Sequence, residues 1–286
     1  MSANAAEIML PGGLWNGGTR QPRVMLRSLC GLDQRYWLEL PAREPLVTRL
    51  HGLLSRCIVA AGEPPRPLEA VPDWVQSLTI GDREALLLHL HRLSFGSRIE
   101  CVLACPACGE KLELDLAADD LLLPPYAGPQ REYVDRLDGC TVRFRLPTGA
   151  DQAAVAALAR ADLDAAEAEL AERCVYAVDR EGEPSHLTPS IVRALADRMA
   201  ELDPQAELNL DMTCPTCEAP FSALLDMAQF VGAEVSSRSQ PLDREIHALA
   251  LTYHWSEEEI LGLPVGRRHA YLRLLDETGS LPGGAM

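Results

Sequence analysis

The sequence predicts an α+β fold, mainly helical, with two β-hairpin knuckles and a helical C-terminal region. Three observations predict it. Two stretches, Arg98 to Leu116 and Glu207 to Leu225, share one grammar: an alternating strand, Cys-Pro-X-Cys, then a second strand-like stretch. In the first, Ile99, Cys101 and Leu103 alternate with Glu100 and Val102, and Leu112, Leu114 and Leu116 alternate with Glu113 and Asp115. Period-two patterning marks a strand with one buried face. Elsewhere apolar residues recur at three- and four-residue spacing, as on the buried stripe of a helix. Finally, 286 residues at 47% hydrophobic content are enough to bury a core in one large domain or two smaller ones.

The N-terminal stretch Glu7 to Leu40, with turn signals at Pro11-Gly12-Gly13 and Asn16-Gly17-Gly18, reads as β structure or an extended arm. Trp15, Tyr36 and Trp37 are candidates either for interface anchors or for packing on their own domain. Leu46 to Ala61 reads as a helix with Leu46, Leu50, Leu53, Leu54, Cys57 and Ile58 on one face, and Gly62 to Pro67 as a linker. Thr79 caps the next helix, with Asp82 at its third position, and Phe95-Gly96 closes it. His89 and His91 in that helix are two residues apart and so point to different faces, which argues against a joint metal site.

The first knuckle follows, then a proline-rich connection from Leu121 to Pro129. Tyr133 to Leu146 alternates around Asp138-Gly139 and reads as a hairpin. Asp151 to Arg160 and Asp162 to Val178 read as helices, the second with a solvated acidic face. Thr188-Pro189 opens a helix to about Leu202, before the second knuckle. After Asp226 the chain reads as helical, broken at Pro241 and at Pro264. A capping box lies at Ser256 to Glu259, the last helix runs from Arg267 to Leu275, and a disordered tail is expected from Gly279 to Met286.

This order divides the chain into 1–78, an N-terminal β arm and helix; 79–125, a first helix–knuckle unit; 126–187, an inserted hairpin and helices; 188–226, a second helix–knuckle unit; and 227–286, the C-terminal helices. The helix–knuckle–hairpin order occurs twice, a weak internal repeat.

A Cys-X-X-Cys at a hairpin tip presents two thiolates on one side, and two such knuckles supply the four sulfurs of a tetrahedral zinc site. Cys105, Cys108, Cys214 and Cys217 are therefore candidate ligands of a structural Zn²⁺, expected at one per chain and forming one ribbon-like site. The spacing is compatible with one shared ion or with two. A shared ion requires the long segment between the pairs to fold as an insertion whose ends return to one place. A redox dithiol is a second reading, because glutaredoxin-like motifs also read Cys-Pro-X-Cys. That chemistry lowers the thiol pKa at a helix N-terminus, and the residues after Cys108 run in strand period instead. Simply buried cysteines are the third. Cys30, Cys57, Cys101, Cys140 and Cys174 are scattered, and only Cys101 shares a strand face with a ligand.

The formal net charge of -16 opposes nucleic-acid binding, whose affinity is dominated by phosphate contacts. Lys111 is the only lysine; arginine-for-lysine usage with abundant alanine fits a bacterial source. No apolar run approaches the ~20 residues that span a bilayer. Residues Met1 to Leu10 lack a targeting pattern, and the odd cysteine total fits a reducing bacterial cytoplasm.

The run Gly81 to Gly96 leading into Cys105-Pro-Ala-Cys-Gly109, the second knuckle Cys214-Pro-Thr-Cys217, and the segment Arg244 to Ile260 with its Trp255-Ser-Glu-Glu motif resemble a bacterial family encoded in contractile phage-tail-like clusters. Its members are described as phage baseplate or baseplate hub assembly chaperone proteins. The resemblance spans roughly residues 7 to 275. It implies a structural or assembly role at the baseplate of a tail-like injection particle, with baseplate, hub or spike proteins as partners. It carries no catalytic residues. The chain departs from the pattern at Glu218, where the first knuckle has Gly109. A left-handed turn after a knuckle favours glycine, so the second knuckle is expected to be slightly strained. Two other functions stand beside this one: a nucleic-acid-binding zinc ribbon, opposed by the charge, and a thiol oxidoreductase. No Walker loop, nucleophile elbow or His-Glu-X-X-His helix points to an enzyme.

Overall fold

A computed structural model of the chain describes residues 5–16, 18–41, 43–62, 66–67 and 72–277. The tail expected from Gly279 to Met286 and part of the linker after Gly62 lie outside the described residues.

The chain opens with β1 (Ala5–Asn16) and β2 (Thr19–Arg27), a long antiparallel hairpin. Helices α1 (Gly31–Glu39) and α2 (Leu46–Cys57) follow, and the chain returns as β3 (Ile58–Ala61) and β4 (Arg66–Pro67), giving the sheet order β1-β2-β3-β4. Helices α3 (Pro72–Ser77) and α4 (Ile80–Phe95) lead to the first knuckle hairpin, β5 (Arg98–Ala104) and β6 (Lys111–Ala117). The short α5 (Ala118–Leu121) ends this half.

The second half repeats the first. β7 (Tyr133–Leu137) and β8 (Cys140–Phe144) form a hairpin around Asp138-Gly139, both at positive φ as a tight two-residue turn requires. Helices α6 (Gly149–Ala159) and α7 (Leu163–Cys174) follow, then β9 (Val175–Arg180) and β10 (Glu183–Pro184), in the order β7-β8-β9-β10. Then α8 (Pro189–Leu202) leads to the second knuckle hairpin, β11 (Asn209–Thr213) and β12 (Pro220–Leu224). Even the irregularities recur. The β2–β3 ladder slips between Met25 and Leu26, and the β8–β9 ladder slips between Arg143 and Phe144. The final helices are α9 (Met227–Ser239), α10 (Leu242–Tyr253), α11 (Glu257–Leu261) and α12 (Val265–Glu277).

The repeat is thus longer than the helix–knuckle order alone, and the segment between the knuckles is a second copy of the first unit. Sequence carries its signature: Arg27-Ser-Leu-Cys-Gly-Leu-Asp-Gln34 matches Arg145-Leu-Pro-Thr-Gly-Ala-Asp-Gln152, and Arg56-Cys57 matches Arg173-Cys174. In each copy the aspartate takes both arginines. Asp33 accepts from Arg27 at 2.6 and 3.0 Å and from Arg56 at 3.1 Å. Asp151 accepts from Arg145 at 2.5 and 3.0 Å and from Arg173 at 3.2 Å. This node ties the end of the second strand to the start of the first helix and the end of the next.

Three expectations need correction. Gly31–Glu39 is helical, because the Asp33 carboxylate accepts the Cys30 N–H at 2.9 Å and closes the first turn. The helix from Leu46 stops at Cys57, and the helix from Leu163 stops at Cys174. In both places the chain passes straight into a strand without glycine or proline, because β2 and β8 offer ladder partners.

Three cores result. The largest joins β1–β3, α2, α3, α4 and α9 with Val265. A second joins β7–β9 to Ala171 of α7 and to Ile191 and Leu195 of α8. A third, small one holds Leu249, Ile260 and Leu275 of the C-terminal helices. Trp37 lies in the largest core with its indole N–H on Ser236 Oγ at 2.8 Å, so it is a packing residue and not a surface anchor.

Candidate metal centre

Each knuckle is built by its own backbone. In the first, the Cys105 N–H donates to the Glu110 carbonyl and the Gly109 N–H donates to the Cys105 carbonyl, both at 2.8 Å. In the second, the Cys214 N–H donates to Ala219 O at 3.0 Å and the Glu218 N–H to Cys214 O at 2.9 Å. The residue after each second cysteine is left-handed: Gly109 at φ 76° and Glu218 at φ 59°.

The two hairpin tips meet. Cys105 Sγ lies 3.8 Å from Cys217 Sγ, and Cys108 Sγ lies 3.7 Å from Cys214 Sγ. The pairing is reciprocal, first cysteine of one knuckle with second of the other, as expected of like units facing each other. All four sulfurs fall within 4.8 Å of one another. A disulfide needs about 2.05 Å, so these are thiols. Zinc–thiolate bonds of about 2.3 Å in a tetrahedron place sulfurs about 3.8 Å apart, the spacing of the two cross pairs. Cys105 and Cys214 are buried, while Cys108 and Cys217 are exposed.

Backbone N–H groups of Cys217 and Thr216 reach the Cys214 sulfur and, with hydrogen bonds from neighbouring thiols, lower its pKa to about 7. At Cys108 a hydrogen bond from the Glu110 backbone works downward. The crowding of the Cys217, Cys105 and Cys214 thiols outweighs it and raises the pKa to about 12. Four thiols this close cannot all ionise against one another, and a bound cation removes that conflict. Cys105, Cys108, Cys214 and Cys217 would hold such an ion, and the all-sulfur set suits zinc or iron.

The remaining cysteines take no part: among the described residues only those four form a group of ligand geometry. Cys101 pairs across the ladder with Leu114 and packs on the largest core. Cys57 and Cys174 are buried, and desolvation pushes both thiols up, Cys174 to about 12. His89 and His91 diverge as their spacing predicts. His89 meets Arg92 at 3.1 Å, whereas His91 is buried 2.5 Å from the Glu234 carboxylate. The acidic positions Asp162, Asp164, Glu167, Glu169 and Glu172 are all exposed.

One polar cluster was not anticipated. Asp82 turns away from its own helix start and accepts the Gly12 N–H at 2.7 Å. Asp203 accepts from the Gly81 N–H at 2.9 Å and from the Tyr126 hydroxyl at 2.8 Å. A Cβ on Gly81 would lie 1.9 Å from Asp203 Oδ1, so only glycine fits there. Desolvation, then the Asp203 charge, raises Asp82 to about 7. The available signal was the unbroken run Asp82-Arg83-Glu84, too polar for the stripe of a helix that is buried all round.

No helix among the described residues is long and apolar enough to cross a membrane. No curated protein and no solved structure matches the chain. The family described as T4 bacteriophage base plate protein matches residues 53–231. That span holds both knuckles and ends before α10, so the Trp255-Ser-Glu-Glu segment lies outside it. With well over half its length matched, the chain belongs to the T4 bacteriophage base plate protein family and is a baseplate structural component.

Proposed function

We propose that this baseplate protein is a zinc-clamped structural and assembly factor of a contractile tail-like particle, acting on baseplate, hub or spike proteins. One observation carries the metal part: four sulfurs from two distant knuckles stand at tetrahedral thiolate spacing. In this reading Cys105, Cys108, Cys214 and Cys217 hold one Zn²⁺ per chain, joining the helix–knuckle units at 79–125 and 188–226. Four sulfurs close the coordination sphere, so the ion is structural and activates no water. The family match supports a structural protein over an enzyme, and the chain is strongly acidic. The same acidity speaks against nucleic acid.

Elemental analysis of the purified chain should find one zinc and no visible iron–thiolate absorption. Two zincs, or none with four titratable thiols, would refute the shared site. Tagged protein expressed from its native gene cluster should co-purify with baseplate, hub or spike proteins, and its deletion should leave incomplete particles. Intact particles after deletion, with no tail protein captured, would refute the assembly role.

A further inference from the structure

The segment Leu29–Gln34 and its counterpart Pro147–Gln152 each receive the start of a helix from elsewhere in the chain. At the second copy the visitor is α4. The Ile80 N–H donates to Pro147 O at 3.3 Å, Thr79 bridges Thr148, and Arg83 donates to the Gln152 side chain. At the first copy the visitor is α12. The Val265 N–H donates to Leu29 O at 2.9 Å, Pro264 bridges Cys30, and Arg268 donates to the Gln34 side chain. The close approach at the glycine also recurs. A Cβ on Gly149 would lie 3.2 Å from Arg83 Nη1, and one on Gly31 would lie 3.1 Å from Arg268 Nη1.

The visitors match in sequence as well: Ile80-Gly-Asp-Arg83 and Val265-Gly-Arg-Arg268. Both arginines are almost fully enclosed, 1% and 0% exposed. A buried arginine is rare unless its partners are built for it. Finding the same backbone bridge, glutamine acceptor and glycine floor twice, with the same arginine in each, makes coincidence of packing a poor explanation.

We propose that Leu29–Gln34 is a docking site for helix starts of the form apolar–X–X–Arg, and that this site is what holds the C-terminal helices α10–α12 in order. These helices carry their own small core of Leu249, Ile260 and Leu275. They lie beyond the span that matches the family. A unit of this size is marginal alone, so its order depends on the site. The contact is separate from the cysteine cluster, and metal content serves as an internal control.

The test is hydrogen exchange on the full chain. Gln34→Ala removes the receiving side-chain acceptor and leaves the Arg268–Glu245 contact within α10–α12 intact. It should speed exchange of α10–α12 amides about tenfold while α4 and the β1–β3 sheet stay protected and metal content is unchanged. Arg268→Ala, which also loses its 2.7 Å contact with Glu245 of α10, should do so to a larger degree. The paired change Val265→Ile with Arg267→Asp gives α12 the start of α4 and should leave protection as in the wild type. If Gln34→Ala leaves α10–α12 as protected as before, or loosens the whole chain together, or if the paired change releases α12, the docking site is refuted.

Discussion

In the first half of the chain the β1–β4 sheet packs against α2 and α4 of its own half, against α9, and against Val265 near the C-terminus. In the second half the equivalent sheet shares its core, among the described residues, with α7, α8 and the flanking Leu146 and Leu187. The local chemistry is the same, down to the slipped ladder and the doubly paired aspartate, yet the buried apolar surface is not. Because burial contributes about 25 cal/mol per Å² of apolar area, like topology does not imply like stability. The second half should therefore depend more on whatever ties its ends down, and the cysteine cluster is placed to do that.

The sharpest way to break the comparison is to remove the tie. Cys214→Ser, or chelation, should lower the melting temperature. Opening a loop of about a hundred residues releases constraint worth ~4–5 kcal/mol in the chain-entropy view. Limited proteolysis should then cut residues 126–202 before it cuts the first half. Unchanged protection of both halves would show that the cluster does not organise the chain.

Next in size are the two aspartates. Asp33→Ala and Asp151→Ala each leave two partly exposed arginines without their shared acceptor. Because water can reach those arginines, the loss is closer to that of charged hydrogen bonds, roughly 1.5–3 kcal/mol, than to that of a fully buried pair. Equal losses in denaturant titrations would show that the nodes are equivalent; a larger population of partly unfolded chains is expected for Asp151→Ala, since its half has the smaller core. At Asp151 burial pushes the carboxyl upward, but Arg145 and Thr148 outweigh it and hold the pKa at about 2. The folded value is depressed, so this stabilisation is complete above the ordinary aspartate range and is lost as pH falls towards 2.

Asp82 behaves with the opposite sign. Its folded pKa, about 7, is raised above the usual value near 3.8, so the folded state holds the proton more tightly. Stability from this group should be full below the ordinary aspartate range and decline as pH rises towards 7. Thermal melts between pH 5 and 7.5 should show that decline, and Asp82→Asn should reduce it, leaving the share of Glu84, whose pKa burial also raises to about 7. An unchanged slope in the variant would remove Asp82 as its source. The smallest effect separates the knuckles themselves. A left-handed residue other than glycine costs roughly 1–2 kcal/mol, partly offset by the looser unfolded chain that glycine brings. Glu218→Gly should thus stabilise by up to about 1 kcal/mol, while Gly109→Ala should destabilise by a similar amount. Denaturant midpoints of the two variants, moving in opposite directions, are the check.

Much of this was legible in the residues. Period-two patterning located β5, β6, β11 and β12, and the caps at Thr79, Thr188 and Ser256 each accept the backbone hydrogen bond their sequences advertise. The boundaries at Cys57 and Cys174 were not legible. Both helices carry an apolar stripe beyond their last helical residue, and nothing local in Ile58 or Val175 forces a strand. Both misreadings fall at equivalent places in the repeat, so the cause is common: pairing with β2 and β8 overrides the local pattern. The full repeat itself was written in Arg27–Gln34 and Arg145–Gln152 but is spread over short matches that only their shared contacts connect.

Sequence alone determined the short-range features: hairpin tips, helix caps, acidic surface and the four cysteines at knuckle spacing. These depend on neighbours a few residues apart, whose geometry the backbone constrains directly. Only the tertiary structure decided that the knuckles meet, that the segment between them is a second copy of the first half, and that Arg83 and Arg268 occupy twin sites. Those outcomes require residues up to 234 positions apart to reach one place. Contacts at that range follow from the packing of whole elements, which no local pattern encodes.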